Sequence, residues 1–136
     1  MNKIILAVLL AGFGVQLVKI IIYFFRHKSL SWHDLVVSGG MPSSHSSFVV
    51  SLATIIFLVE GTSTAFVVSL VLAMIVLRDA FGVRRSVGEE GVIINQILKK
   101  IKLKTKSYFA MGHTPVQVLV GSLFGLATSL IVYYLL

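Results

Sequence analysis

The stretch PSSHSSFVVSLATIIFLVEG, residues 42–61, opens with a proline, four serines and a histidine and continues as an apolar run. The apolar part reaches the roughly 20 residues that cross a bilayer only if the helix starts near Pro42. Proline suits the first turn of a helix, because its missing N–H is not needed there. The stretch therefore predicts a membrane helix whose first turn is polar.

The rest of the chain predicts three further spans. One of them directly follows the span at residues 42–59, after a tight turn at residues 60–63. The 136 residues are 57% hydrophobic and 12% charged, with a mean hydropathy of +0.97, whereas soluble domains are about a quarter charged. The N-terminal span lacks a signal-peptide cleavage site and is taken as a mature helix. We predict an all-α integral membrane bundle of about four transmembrane helices in a single domain, 1–136. Its spans are approximately residues 3–25, 42–59, 64–81 and 115–136.

Basic residues are concentrated on one side of these spans. Segments 26–41 and 78–114 hold ten of them, against Lys3 alone on the other side. Cytoplasmic loops carry such an excess of lysine and arginine, so we expect both segments in the cytoplasm, both termini outside, and the chain in the plasma membrane. This topology brings four polar segments to the cytoplasmic face. The chain has no cysteine, which excludes disulfides and thiolate metal sites.

Cations from two helices could hold an anion on this face. Lys19 and Arg26 are seven residues apart and share one face of the first helix. Lys19 could extend to the membrane interface, but an ionisable residue inside a span indicates a functional site. Arg78, Arg84 and Arg85 end the third span, and arginine binds phosphate in a bidentate manner. A basic flank of a membrane helix explains the last two equally well.

Two helix starts on this face each carry a histidine. Unpaired N–H groups at a helix start favour anions, Ser43 and Ser44 add hydroxyl donors, and His45 can donate a proton near neutral pH. His113 precedes the last helix, and Gln117 falls where it can cap that helix. The serines could instead cap or pack. The histidines could be metal ligands, although no third ligand has the spacing of known zinc motifs.

Two other features are less specific. Asp79 at a helix C-terminus is unfavourable with the helix dipole, so we expect it to have a partner: Arg78, Lys19 or a histidine. Residues 88–104 predict an interfacial helix on anionic lipid, because an isoleucine-rich stripe is followed by lysines. Nucleic acid is a poor partner for such a chain. The motif GSLFG, residues 121–125, favours close helix packing or dimerisation.

These motifs together resemble the divergent branch of the type 2 phosphatidic acid phosphatase superfamily, which is related to the vanadium haloperoxidases. That superfamily's first motif is lysine, six residues, arginine and proline, and Lys19 and Arg26 have this spacing. Its second motif, Pro-Ser-Gly-His, is similar to residues 42–45. Its third motif is Ser-Arg, five residues, histidine, three residues and aspartate, in which His113 matches the histidine.

The chain departs from the superfamily pattern at three positions. His27 replaces the proline, Ser107 stands in place of the third-motif arginine, and Gln117 stands in place of the aspartate that orients the nucleophile. Asp79 could replace that aspartate from the third helix, and Arg84 or Arg85 could replace the arginine. His33, like His27, is taken as a bystander.

The resemblance implies a phosphatase acting through a phosphohistidine on a lipid phosphate or polyprenyl (pyro)phosphate, without a metal or cofactor. His113 would attack phosphorus, His45 would protonate the leaving oxygen, and membrane lipids would be the partners, with a homodimer as one way to complete the site. A non-catalytic binder of anionic lipid and a small transporter subunit remain as alternatives. The predicted site comprises His113, His45 and Asp79 as catalytic residues, Lys19, Arg26, Ser43, Ser44, Arg78, Arg84 and Arg85 as phosphate ligands, and Gln117 as the orienting residue.

Overall fold

The computed structural model of the protein describes residues 2–27, 41–105 and 112–136. All regular secondary structure in these residues is helical, as the sequence predicts. Ser107 and the basic residues Lys28 and Lys106 lie outside the described residues. The helices are α1 (Lys3–His27), α2 (Ser44–Glu60), α3 (Thr64–Phe81), α4 (Val83–Lys100) and α5 (Pro115–Leu135).

Apolar length marks the helices that can cross a membrane. Among the described residues, the stretches Lys3–Arg26, Thr64–Lys100 and Pro115–Leu135 are long and apolar enough, and α2 is a shorter apolar helix of 17 residues. At 1.5 Å per residue α2 is about 25 Å long, slightly less than the roughly 30 Å hydrocarbon core of a bilayer. The fold is therefore that of a helical membrane bundle.

The predicted hairpin of α2 and α3 is present, with a different start. Ser43 is the N-cap of α2 and its hydroxyl accepts from the Ser46 N–H, so Pro42 precedes the cap and does not lie in the first turn as predicted. Gly61 ends α2 with a φ of 69°, a left-handed conformation that glycine adopts without steric cost. Ser63 then caps α3 by accepting from the N–H of Phe66 at 3.1 Å.

Helix α2 lies at the centre of the bundle, where it packs against α1, α3 and α5. Its contacts show that it runs parallel to α5. The hydroxyls of Ser51 and Ser129 are 2.8 Å apart, and the residues one or two turns nearer the N-terminus of each helix also contact each other. A Cβ at Gly121 would collide with the Ser43 backbone, and one at Gly125 with the Ser47 carbonyl. The glycine motif of α5 therefore allows close packing within the chain.

Helix α1 runs antiparallel to α2. The Ser47 hydroxyl donates to the Ala11 carbonyl oxygen at 3.0 Å, and the Ser44 hydroxyl donates to Gln16 Oε1 at 3.3 Å. At the opposite end of the bundle, Lys3 Nζ donates to the Tyr133 carbonyl oxygen at 3.0 Å. The starts of α2 and α5, the C-terminal half of α1 and the end of α3 therefore meet at one end, which we call the histidine end.

Candidate active site

Backbone contacts join the segments that meet at the histidine end. The N–H of His113 donates to the Ala80 carbonyl at the end of α3 at 3.0 Å, and the N–H of Ser43 donates to the Gln117 carbonyl at 3.2 Å. A side chain at Gly112 would collide with the backbone of Arg84 and Arg85. These contacts hold the approach to α5 against α2, α3 and the first turn of α4.

The two histidines that the sequence singles out lie next to each other. The ring centroids of His45 and His113 are 6.5 Å apart, with 54° between the ring planes. His45 is exposed, whereas His113 retains only 7% of its accessible surface. One imidazole is thus open to solvent and the other is held within the packed helix ends.

Gln117 fixes the orientation of the His113 ring. The N–H of Thr114 donates to Gln117 Oε1 at 3.0 Å, as part of a capping box at the start of α5. Because that contact requires an acceptor, it identifies the amide oxygen. His113 Nδ1 lies 3.3 Å from the same oxygen, so Nδ1 carries the hydrogen and donates. The remaining nitrogen, Nε2, therefore has a free lone pair.

The environment of His113 favours its neutral form. Burial lowers the pKa of His113 below that of an ordinary histidine, and the positive charge of Lys19 lowers it further. The hydrogen bond with Gln117 acts in the opposite direction without reversing the shift. A buried imidazole close to cations resists protonation, so its surroundings favour the neutral ring.

Lys19 and Arg84 supply the positive charge around the histidines. Both act electrostatically on His45 and on His113. Arg84 Nε lies 2.6 Å from Asp79 Oδ2, so the partner of Asp79 is Arg84 and not one of the three that the sequence suggested. Asp79 thereby positions Arg84, and the role of holding His113 falls to Gln117.

The other three arginines of the predicted site have other surroundings. Arg85 Nε bonds to Glu89 Oε1 at 3.1 Å, one turn along α4. Gln16 lies level with the start of α2, and Arg26 follows it by ten residues. Ten residues of helix separate the two positions by about 15 Å along the axis of α1. Arg78 is exposed in the last turn of α3. Among the described residues no hydrogen bond or ion pair joins these arginines to either histidine.

The serines of the predicted site differ in what their hydroxyls do. Ser43 is fully buried and its hydroxyl accepts from both the N–H and the hydroxyl of Ser46, so it serves the helix cap. Ser44 is partly buried and donates to Gln16 Oε1. Gln16 is not among the residues of the site predicted from the sequence. Its position three residues before Lys19 in an apolar helix could have identified it.

No group of three metal-ligating side chains (His, Cys, Asp or Glu) occurs among the described residues. The donor set around the two histidines consists of cations, an amide and hydroxyl groups. Such a set is suited to an oxyanion, because each of these groups can donate a hydrogen bond to oxygen.

The fold and the site define a helical membrane protein with two neighbouring histidines and nearby cationic side chains at one end of its bundle. The chain belongs to the Divergent PAP2 family, whose model matches residues 1–128, which confirms the resemblance seen in the motifs. It is 34% identical to the uncharacterized membrane protein YuiD of Bacillus subtilis (strain 168), over 98% of this chain and 95% of that protein. No solved structure matches the chain significantly.

Proposed function

We propose that the protein is a membrane-embedded phosphatase that hydrolyses a lipid phosphate or polyprenyl (pyro)phosphate through a phosphohistidine. The observation that carries the proposal is the facing pair of histidines, in which Gln117 leaves Nε2 of His113 free. In-line transfer needs the nucleophile about 3–3.5 Å from phosphorus and the acid about 2.6–3.2 Å from the leaving oxygen. The ring centroids of the two histidines lie 6.5 Å apart, so both imidazoles border the region in which the phosphoryl group would bind.

Binding of the phosphoryl group would rest on charge and on two helix ends. Lys19 and Arg84 neutralise the oxygens, and α2 and α5 both direct their N-termini, the positive ends of their dipoles, at the same region. The Ser44 hydroxyl, which donates to Gln16 Oε1, would have to exchange that acceptor for a phosphoryl oxygen to take part. Phosphoryl transfer needs mainly positioning and charge stabilisation, which this set of residues supplies.

The reaction then proceeds in two displacements. Nε2 of His113 attacks phosphorus, the ester P–O bond breaks, and protonated His45 gives its proton to the leaving lipid oxygen. In the second step His45 takes a proton from water as the water oxygen attacks phosphorus. The P–N bond breaks, inorganic phosphate leaves, and both histidines return to their starting states.

The active face belongs on the cytoplasmic side of the plasma membrane in this proposal. The basic residues of α4 and of the ends of α1 and α3 flank the histidine end, and such an excess is typical of cytoplasmic loops. A phosphorylated headgroup at this surface would reach the histidines while its hydrocarbon chains stay in the bilayer.

A non-catalytic receptor for anionic headgroups is the second candidate. The observation that favours it is Gln117, because a neutral amide stabilises a charged imidazole less than a carboxylate does. In a serine protease triad, a similar loss of charge lowers the rate by about 10⁴. A transport path finds less support, since the hydroxyls of Ser51, Ser69, Thr128 and Ser129 are bonded within the bundle.

The test is phosphate release by the purified protein in detergent from phosphatidate, phosphatidylglycerophosphate and polyprenyl pyrophosphate. We expect release by the wild type, none by His113→Ala or His45→Ala, and wild-type release by the matched control His33→Ala. Hydrolysis that survives His113→Ala would rule out the phosphohistidine. Anionic lipid binding without release by the wild type would favour the receptor.

A further inference from the structure

Helix α4 presents an apolar face that the described residues leave uncovered. Val83, Val87, Ile94, Ile97 and Ile101 follow one another at steps of four, seven, three and four residues, which places them along one side of a helix. Each retains between 47% and 62% of its accessible surface. Glu90 lies on the same side of the helix between Val87 and Ile94, and the stripe is apolar before and after it.

The buried residues of α4 lie beside this stripe and show which side of the helix faces the protein. Gly88 and Gly91 are its buried residues, and among the described residues its main packing partner is α3. Gly82 alone separates the two helices, with a φ of −99° and a ψ of −91° that interrupt the helical geometry. Helix α3 ends at Phe81 and begins a stretch that is long and apolar enough to cross a membrane, so a bilayer crossed by α3 would have its surface near the start of α4.

The charge of α4 is strongly positive and lies beside this face. Between residues 83 and 104 there are six basic side chains and two acidic ones. Lys99 and Lys100 occupy the last turn, and the exposed Lys102 and Lys104 follow it. A cationic edge next to an apolar stripe is the pattern of helices that lie in the interface of anionic membranes.

We infer that α4 docks this apolar face into the surface of an anionic lipid bilayer at the histidine end. A bilayer is the occupant that the structure favours, because α4 directly follows an apolar helix that can cross a membrane and carries cations that complement anionic headgroups. The inference goes beyond the proposed phosphatase and does not depend on it, since docking can be measured without any turnover.

The experiment exploits the absence of cysteine from the chain. A nitroxide is attached to Ile94→Cys, on the stripe, or to Gln96→Cys, an exposed position about 200° away around the helix. Each full-length protein is placed in vesicles of phosphatidylcholine with or without phosphatidylglycerol. Collision rates with oxygen, which enters lipid, and with a water-soluble nickel chelate then report the surroundings of each label.

Docking predicts that the Ile94 label meets oxygen and excludes the chelate, while the Gln96 label meets the chelate. Chelate access at both positions overturns the inference, and so does an Ile94 label shielded from both reagents, which would mean protein contact such as a second copy. An Ile97→Cys label is the second stripe position, in case the change at Ile94 disturbs folding.

The anionic part of the inference has its own arm. Replacing Lys99 and Lys100 with glutamine should lower the ratio of docked to free α4 roughly 30-fold in vesicles with phosphatidylglycerol, at about fivefold for each lysine. The same change should have little effect in pure phosphatidylcholine. An equal effect in the two lipids, or none in either, would contradict recognition of anionic lipid.

Discussion

Replacing Gln117 with glutamate changes one charge at the proposed nucleophile while preserving the cap of α5. Gln117 is the third residue of the helix, and glutamate is a usual partner at that position of a capping box. A carboxylate there can accept from the Thr114 N–H and from His113 Nδ1, the two donors that now share Oε1. The variant therefore tests the electrostatic role of this position with little change of structure.

The expected magnitude follows from the strengths of the two hydrogen bonds. A neutral hydrogen bond contributes about 0.5–1.5 kcal/mol and one to a charged group about 1.5–3 kcal/mol. The difference of somewhat more than 1 kcal/mol corresponds to about one pKa unit, at 1.36 kcal/mol per unit. The pKa of His113, which burial and Lys19 now lower, should rise by about one unit. The same carboxylate stabilises positive charge on the ring during attack, so kcat should rise by about tenfold.

The sign of the pH effect is set by the need for a neutral nucleophile. Because protonated His113 cannot attack, the acidic limb of kcat/KM should move about one unit toward higher pH in Gln117→Glu. Titration of ¹⁵N-labelled histidine by NMR reports the pKa and the Nδ1–H tautomer directly. The control Gln117→Met removes the acceptor and should lower kcat. An unchanged His113 pKa would refute the contact with Gln117. A shifted pKa with an unmoved limb would refute His113 as the nucleophile.

Two further predictions separate neighbouring residues by their contacts. Arg84→Ala should lower kcat/KM by about 10²- to 10³-fold, as loss of a charge-stabilising donor does. Arg85→Ala should change kcat/KM less than about twofold, because that side chain bonds within α4. Similar losses in the two variants would contradict the proposal that Arg84, and not Arg85, binds the phosphoryl group. Gly125→Ala should reduce the free energy of unfolding by about 1–3 kcal/mol through overpacking against Ser47. The control Ala127→Val, at an exposed position, should reduce the free energy of unfolding by less than about 0.5 kcal/mol. Thermal unfolding in detergent measures both, and equal stabilities would contradict the close contact of α2 and α5.

Helices of this fold could be predicted because apolar length is a local property of the sequence. The start of α5 was also predictable, since Thr114, Pro115 and Gln117 form a cap from neighbouring residues. The start of α2 was not, because two local preferences compete there. Proline at position 42 favours the first turn of a helix. The hydroxyl of Ser43 instead caps the helix by accepting from the Ser46 N–H, so α2 begins at Ser44, after Pro42.

The meeting of the polar segments at one end of the bundle could be predicted from the spans, but the pairing of the side chains there could not. Which basic residue approaches the histidines depends on how α1 is positioned along α2, and the contact of Gln16 with Ser44 sets that position. It brings Lys19 close and leaves Arg26 farther along the axis. The pairing of Asp79 with Arg84 likewise depends on the interruption at Gly82, whose geometry no sequence pattern specified.

In the proposed site, Arg84 would provide the cation that the third motif lacks. It lies in the first turn of α4, whose backbone also contacts Gly112 beside His113. Movement of α4 would therefore displace the phosphate-binding cation and the nucleophile's backbone together. If α4 docks on anionic lipid, the membrane would fix the position of Arg84 relative to the backbone beside His113. Activity should then depend on the charge of the surrounding lipid, even with a substrate that carries its own phosphate. Loss of that dependence in the Lys99 and Lys100 variant, with kcat/KM retained in neutral lipid, is the result this coupling requires.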